Sequence, residues 1–224
     1  MIVFDSSMRD ANPVSYLAKG IYDIAEVARL IRTGRTRVEG WTRPTGKRTP
    51  LLTGQLAGLL SFWDLISLKV VAELVARGVA RDRISRGAGH LALVLETDRP
   101  FAHRNLATVG AEFFADIDGG WEDVGHRGQQ VFQSVIGPLL KPISFNESDM
   151  AAVWRPRDGV WINPEVQAGT PCVDLTRVPT LLIADRLGTG DSPDADELAE
   201  VCDDYQLTTK QVRDALAYEL DLAA

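Results

Sequence analysis

Apolar residues fall at helical spacing over most of this chain, and the breaks between those runs divide it. Ile24, Val27, Ala28 and Ile31 recur at i, i+3, i+4 and i+7, which is one face of a helix. Asp23 stands just before this run with Glu26 three residues on, the spacing of a capping box. Thr33-Gly34 ends the helix. A second one is predicted from about Arg35 to Trp41, with Val38 and Trp41 inward and Arg35, Thr36, Arg37 and Glu39 outward. Two short helices about a tight turn form the outline that lays its second helix in the major groove of DNA. Pro44, Gly46, Pro50 and Gly54 punctuate the next stretch, which predicts two short strands around a Thr45-Gly46 turn, a wing. Leu65, Leu68, Val71, Ala72 and Val75 then predict a helix from about Phe62 to Arg77, closed by Gly78. Asp82 is placed to cap a further helix through about Leu95. Arg81, Arg83 and Arg86 stand near its start, where the helix dipole favours anions. Bound phosphates would offset that cost.

After residue 104 the pattern changes. The stretch AEFFADIDGGWEDVG reads as a hairpin with its turn near Asp118-Gly119-Gly120. A helix follows until Gly137-Pro138, and AAVWRPRDGVWIN predicts two short strands around Asp158-Gly159. Pro179 suits the first turn of a helix over Thr180 to Leu187, ended by Gly188. Leu198, Val201 and Tyr205 mark a second tail helix from Asp194 to about Tyr205. Thr208 caps a third, whose apolar face is Val212, Leu216 and Leu220. These readings predict an α+β, mainly α fold. A winged helix–turn–helix occupies 1–104, a small mixed α/β region 105–160, and an acidic three-helix unit with a second helix–turn–helix outline 161–224.

Charge follows the same division. Residues 1–104 hold 16 Lys and Arg against 10 Asp and Glu, whereas residues 105–224 hold 8 against 21, for a formal net charge of -7. Seven cations crowd between Arg29 and Arg48 against one acid, Glu39. The local field matters more to a phosphate than net charge does, because salt screens charges beyond about 8–10 Å. A basic front facing nucleic acid and an acidic rear facing protein are therefore expected. Arg35, Thr36 and Arg37 on the second helix, with Arg43, Lys47 and Arg48 in the wing, are the candidate DNA contacts. One recognition helix of this length reads only a few bases, so a homodimer on two half-sites is expected.

Other chemistry finds little footing. His90, His103 and His126 share no ligand spacing, so neither metal nor cofactor is expected. No nucleophile–base pair and no phosphate-cradling glycine loop stands out, so the chain does not read as an enzyme. The opening MIVFDSS reads as a short edge strand or arm. The alternative is a nuclease using Asp5, which lacks its further carboxylates in a strand–helix alternation. No run approaches the ~18 apolar residues of a membrane span, and no signal peptide is evident. Cys172 and Cys202 are far apart without a CxxC partner. A cytoplasmic protein with free thiols is expected.

Two stretches are similar to known families. YDIAEVARLI, RTRVEGW, the wing and DLISLKVVAELVARGVARDRI resemble the winged helix–turn–helix of MerR-type regulators. INPEVQAGTPCVDLTRVPT and LTTKQVRDALAYE resemble the small C-terminal helical domain of VapB-like antitoxins. That domain commonly reads D-P-x-x-x-x-G-x-P followed by G-T-R-I-P, against Asn163-Pro164, Gly169-Thr170-Pro171 and Leu175-Thr176-Arg177-Val178-Pro179 here. The order of the parts resembles the large VapB-type antitoxins. The resemblance implies a partner, a PIN-domain ribonuclease toxin, and autoregulation at operator DNA. A stand-alone MerR-like regulator without a toxin is the other reading. The sequence departs from these families at Arg32, where the turn often carries Gly, at Gly34, where Ser or Thr caps the second helix, and at Asp174-Leu175, where apolar-x-Gly is usual.

Overall fold

The computed structural model describes residues 19–44, 49–52, 58–116, 125–188 and 193–223. The Asp5 arm, the Thr45-Gly46 turn of the expected wing with Lys47 and Arg48, and the Asp118-Gly119-Gly120 turn lie outside them; the described residues beside the wing turn, 43–44 and 49–52, form no strand. The fold is α+β and mainly α. No helix among the described residues is long and apolar enough to cross a membrane.

The first two helices form as their caps dictate. Helix α1 (Ile24–Leu30) starts at Asp23, whose carboxylate accepts from the Glu26 amide. It ends with the Arg32 amide donating to Arg29 and the Thr33 amide to Ala28, a Schellman turn. Arg32 takes the left-handed position of that turn at φ 53°. Helix α2 (Arg35–Thr42) follows with Gly34 at its cap and no side-chain capping bond. Leu175 also adopts a left-handed conformation, φ 59°. The turn thus keeps a glycine-type backbone at both places where the resembled families carry Gly. Such a conformation costs an L-residue about 1–2 kcal/mol, and glycine's own entropy returns part of that. Arg32→Gly and Leu175→Gly are each expected to raise stability by about 0.5–1 kcal/mol, read as a higher urea midpoint at unchanged slope. Leu175 is 77% exposed, so little packing is lost with it.

Helix α3 (Phe62–Ala76) begins at a complete capping box between Ser61 and Asp64. Its periodicity predicts one apolar face, yet Ile66, Ser67, Val70 and Leu74 are buried along with Leu65, Leu68 and Val71. A helix apolar nearly all round occupies the centre of a core. Helix α4 (Arg81–Val94) is capped by Ala80 and not by Asp82, which sits inside the first turn instead. A 3-10 turn (Pro100–Ala102) leads into α5 (Leu106–Asp116). This segment corrects the expected hairpin. The AEFFAD strand is the end of a helix, which packs against α6 (Gly125–Leu140). Gly110 permits that approach, since a Cβ there would lie 2.8 Å from the Phe132 ring. Helix α6 also runs past Gly137-Pro138, its expected end, with Val135, Ile136 and Leu140 buried on both sides of the proline.

The expected strands around Gly159 form, within a larger antiparallel sheet of order β1-β2-β3-β4. Its strands are β1 (Ile143–Phe145), β2 (Ala151–Arg157), β3 (Val160–Ile162) and β4 (Cys172–Val173). Gly159 turns at φ 80° against Asp214. Helices α7 (Thr180–Leu187), α8 (Ala195–Tyr205) and α9 (Thr209–Ala223) complete the chain. Pro179 caps α7 from outside instead of entering its first turn. The turn from α8 to α9 repeats the α1 Schellman pattern with Gln206 left-handed, and Thr208 then caps α9 through its bonds with Gln211.

Two apolar cores result. One gathers buried residues from Tyr22 to Ile162, on both sides of residue 104, around α3. The other joins Val173, Ile183, Leu198, Val201, Val212 and Ala215 between β4 and the last three helices. The expected inner face of α9 is corrected at its end. Leu220 is 41% exposed, while Tyr218 and Glu219 are buried. The last turns of α9 leave their own core and face the helix–turn–helix.

Candidate nucleic-acid interface

Buried Val38 and Trp41 anchor α2 to the core. Spacing alone then sends Arg35, Thr36 and Arg37 to the opposite face, and all three are exposed. Arg35 Nε lies 3.1 Å from Glu39 Oε1 one turn on. The Arg35 side chain is 67% exposed, and such a pair holds it only weakly. Arg37 and Arg43 are exposed and have no carboxylate within ion-pair distance among the described residues. The Leu51 and Leu52 amides donate to Trp41 O at 2.7 and 3.2 Å. The chain therefore leaves α2 at Arg43 and returns to its end eight residues later, and Lys47 and Arg48 belong to that excursion. Leu60 then pairs with Tyr22 through two backbone bonds of 2.9 Å, closing the unit just before α1.

Arg81 has a different role from the phosphate contact its position suggests. Its guanidinium donates to Gly40 O at 2.9 Å and Thr49 O at 2.7 Å. Arg81 stands at the start of its own helix but at the carboxyl end of α2, whose carbonyls carry partial negative charge. It therefore fastens the base of the excursion to α2. Arg83 is buried beside it. Arg86 remains exposed, its guanidinium 3.4 Å from Asp82 O.

The expected separation of charge is overturned at one seam. Glu219 of α9 is 4% exposed and lies 3.1 Å from Arg29 of α1, while its other oxygen accepts from the Thr180 hydroxyl. Asp221 lies 4.0 Å from Arg32 and pairs directly with Arg157 of β2. Carboxylates from the acidic half thus neutralise two of the seven clustered cations, at the back of the helix–turn–helix. Among the described residues, Arg35, Arg37 and Arg43 remain outward. The sequence holds no local signal for this seam, because Arg29 and Glu219 are 190 residues apart. The same is true of Tyr22. Its hydroxyl donates to Gly169 O at 2.9 Å and ties the helix–turn–helix to the loop before β4.

His103 is buried, its Nδ1 accepts from the Asn105 amide, and burial lowers its pKa. Cys172 and Cys202 are free thiols, and burial pushes Cys172 up to about 11, an unreactive thiol.

A mainly helical α+β protein with an exposed, positively charged helix in a helix–turn–helix is thus the class that the fold defines. Residues 160–218 match a family model described as a protein of unknown function (DUF433). The chain is also similar to the X-ray crystal structure of Rv2018 from Mycobacterium tuberculosis. The TM-score is 0.67 at 24% identity, covering 87% of this chain and 96% of that one. That likeness extends to the fold. Comparison with curated proteins yields no match.

Proposed function

We propose that this chain is a DNA-binding antitoxin of the cytoplasm. On this reading its α2 face and the basic excursion after it bind operator DNA as a homodimer, and its acidic C-terminal unit engages a PIN-domain ribonuclease. The observation that carries the DNA reading is the outward set Arg35, Thr36 and Arg37 on a helix pinned by Val38 and Trp41. Arginine and threonine reach both base edges and phosphates. The acidic unit supports a protein partner. It exposes Leu175, Leu181 and Leu182 within reach of sequence rich in Asp and Glu. Apolar side chains with a charged surround suit a partner surface. A ribonuclease must hold RNA phosphates, so its cleft is positive, and opposite charge steers the two together.

The DNA test is a binding titration of the chain on its own promoter at several salt concentrations. Arg37→Ala is expected to weaken binding by about 5- to 100-fold, the worth of a base-directed arginine. Arg43→Ala, Lys47→Ala and Arg48→Ala are each expected to reduce the salt slope by about one phosphate. Unchanged affinity for Arg37→Ala and unchanged slopes for the other three would remove this face from the interface. Co-expression with a PIN-domain protein encoded beside it separates the antitoxin from a stand-alone regulator. Co-purification and loss of ribonuclease activity support the former, and DNA binding without either supports the latter.

A further inference from the structure

Beside the turn between α1 and α2, the described residues line a half-open cavity of about 330 Å³. It opens where four elements of the fold meet. Arg32 comes from the α1–α2 turn, Lys69 from α3, Trp154 and Arg157 from β2, and Tyr218 and Asp221 from α9. Apolar side chains complete the wall. Three cations therefore face one carboxylate. Asp221 serves both arginines, Arg157 directly and Arg32 at 4.0 Å. Lys69 has no carboxylate within ion-pair distance among the described residues. Its ammonium lies instead 5.5 Å from the centre of the Trp154 ring, and burial lowers its pKa.

The wall is also short of acceptors. Trp154 and Tyr218 are 4% and 3% exposed, and the indole Nε1 and the phenol oxygen have no hydrogen-bond partner among the described residues. Buried donors of this kind ordinarily find an acceptor, and each one left without costs about 1–3 kcal/mol. Burial and the neighbouring Glu219 push the Tyr218 hydroxyl upward, so it stays protonated and able to donate. Both donors lie buried behind the wall, and the charge of the opening itself is unbalanced, with three cations against one carboxylate. An oxyanion supplies the missing negative charge.

We propose that this cavity binds a small organic anion through a phosphate or carboxylate group, with Arg157, Lys69 and Arg32 around it and Asp221 as the internal competitor. The volume lies at the lower end of the range for small-molecule sites, which favours a compact metabolite over a polymer. Entry of the anion displaces Asp221 from Arg32 and Arg157. It thereby loosens the seam between α9 and the helix–turn–helix turn. This inference stands on the cavity and does not depend on DNA binding.

The experiment is calorimetric titration of the full chain with inorganic pyrophosphate and with citrate, in chloride buffer of constant ionic strength. Saturable binding of either probe is expected, and the stronger of the two identifies the preferred group. Arg157→Gln changes a side chain that is 40% exposed, so folding is retained. It is expected to weaken binding about tenfold or more, the loss of one charge-assisted hydrogen bond. Lys69→Met is expected to do the same. Asp221→Asn is expected to tighten binding, because it removes the carboxylate that the ligand must displace. A merely structural Asp221 predicts no such gain. The proposal is overturned if neither the wild type nor Asp221→Asn binds either probe saturably, or if Arg157→Gln binds as tightly as the wild type.

Discussion

Arg99→Met is expected to destabilise the protein by about 3–5 kcal/mol, the cost of stranding a buried charge. The charge is Asp64, which has no solvent exposure. Asp64 stands in the first turn of α3, where Oδ2 accepts from the Ser61 amide and hydroxyl at 2.9 Å. Its Oδ1 receives Arg99 Nε at 2.6 Å, from a side chain only 9% exposed. Asp98 also reaches Arg99, at 3.2 Å, but is 65% exposed and contributes little. A methionine fills the volume of the arginine stem and supplies no cation. The carboxylate then remains in the core with only the Ser61 donors. The second half of the experiment removes that charge as well. Asp64→Asn with Arg99→Met is expected to be more stable than Arg99→Met alone, because an amide retains an acceptor for Ser61 and needs no counter-ion. Urea unfolding of the wild type and the two variants measures this. A loss below about 1 kcal/mol for Arg99→Met would be the value of a surface pair and would refute the argument. The capped end of α3 follows directly on the Leu60–Tyr22 pairing, so the helix–turn–helix rests on this cap.

Gly169→Ala carries the second large effect, expected at about 3–5 kcal/mol from backbone strain, overlap and a lost hydrogen bond together. Gly169 sits at φ 89°, where an L side chain is strained regardless of space. The space is also filled. A Cβ would lie 2.8 Å from Tyr22 Cζ and overlap the Tyr22 phenol oxygen. Tyr22 cannot step aside cheaply. It is 1% exposed, its backbone pairs with Leu60, and its hydroxyl donates to Gly169 itself. Tyr22→Phe alone is expected to cost about 1 kcal/mol, the net worth of one such bond. Combined with Gly169→Ala it is expected to recover part of the loss, because the overlapping oxygen is gone. The two substitutions are then non-additive. Strict additivity in denaturant unfolding would refute the contact. The glycine of the Gly-Thr-Pro motif therefore has a physical reason in this chain. It lets the loop before β4 close onto Tyr22, two residues before α1.

Much of the secondary structure was legible because its causes are local. Asp23 caps α1, Thr208 caps α9, and Val38 and Trp41 turn α2 so that Arg35, Thr36 and Arg37 face outward. Each of these acts over one helical turn. Misreadings arose where a local pattern was ambiguous and packing decided. AEFFAD has the composition of a strand, yet Gly110 and Phe132 hold it as a helix against α6. Gly137-Pro138 has the look of an ending, yet buried Ile136 and Leu140 carry α6 through it. Arg81 belongs by sequence to a row of phosphate-seeking arginines, and by structure to the carbonyls of α2.

Charge gives the sharpest contrast. Read along the chain, the cations lie in front and the acids behind. Folding brings Glu219 and Asp221 back to Arg29 and Arg32, and gathers Lys69, Trp154, Arg157 and Tyr218 around one cavity. The sequence by itself determined where α1, α2 and α9 begin and which face α2 buries, because capping and periodicity act between residues a few positions apart. Only the tertiary structure decided which cations remain outward and which surround the cavity. Those pairings join residues as much as 190 positions apart, and no short-range rule connects them before the chain has closed on itself.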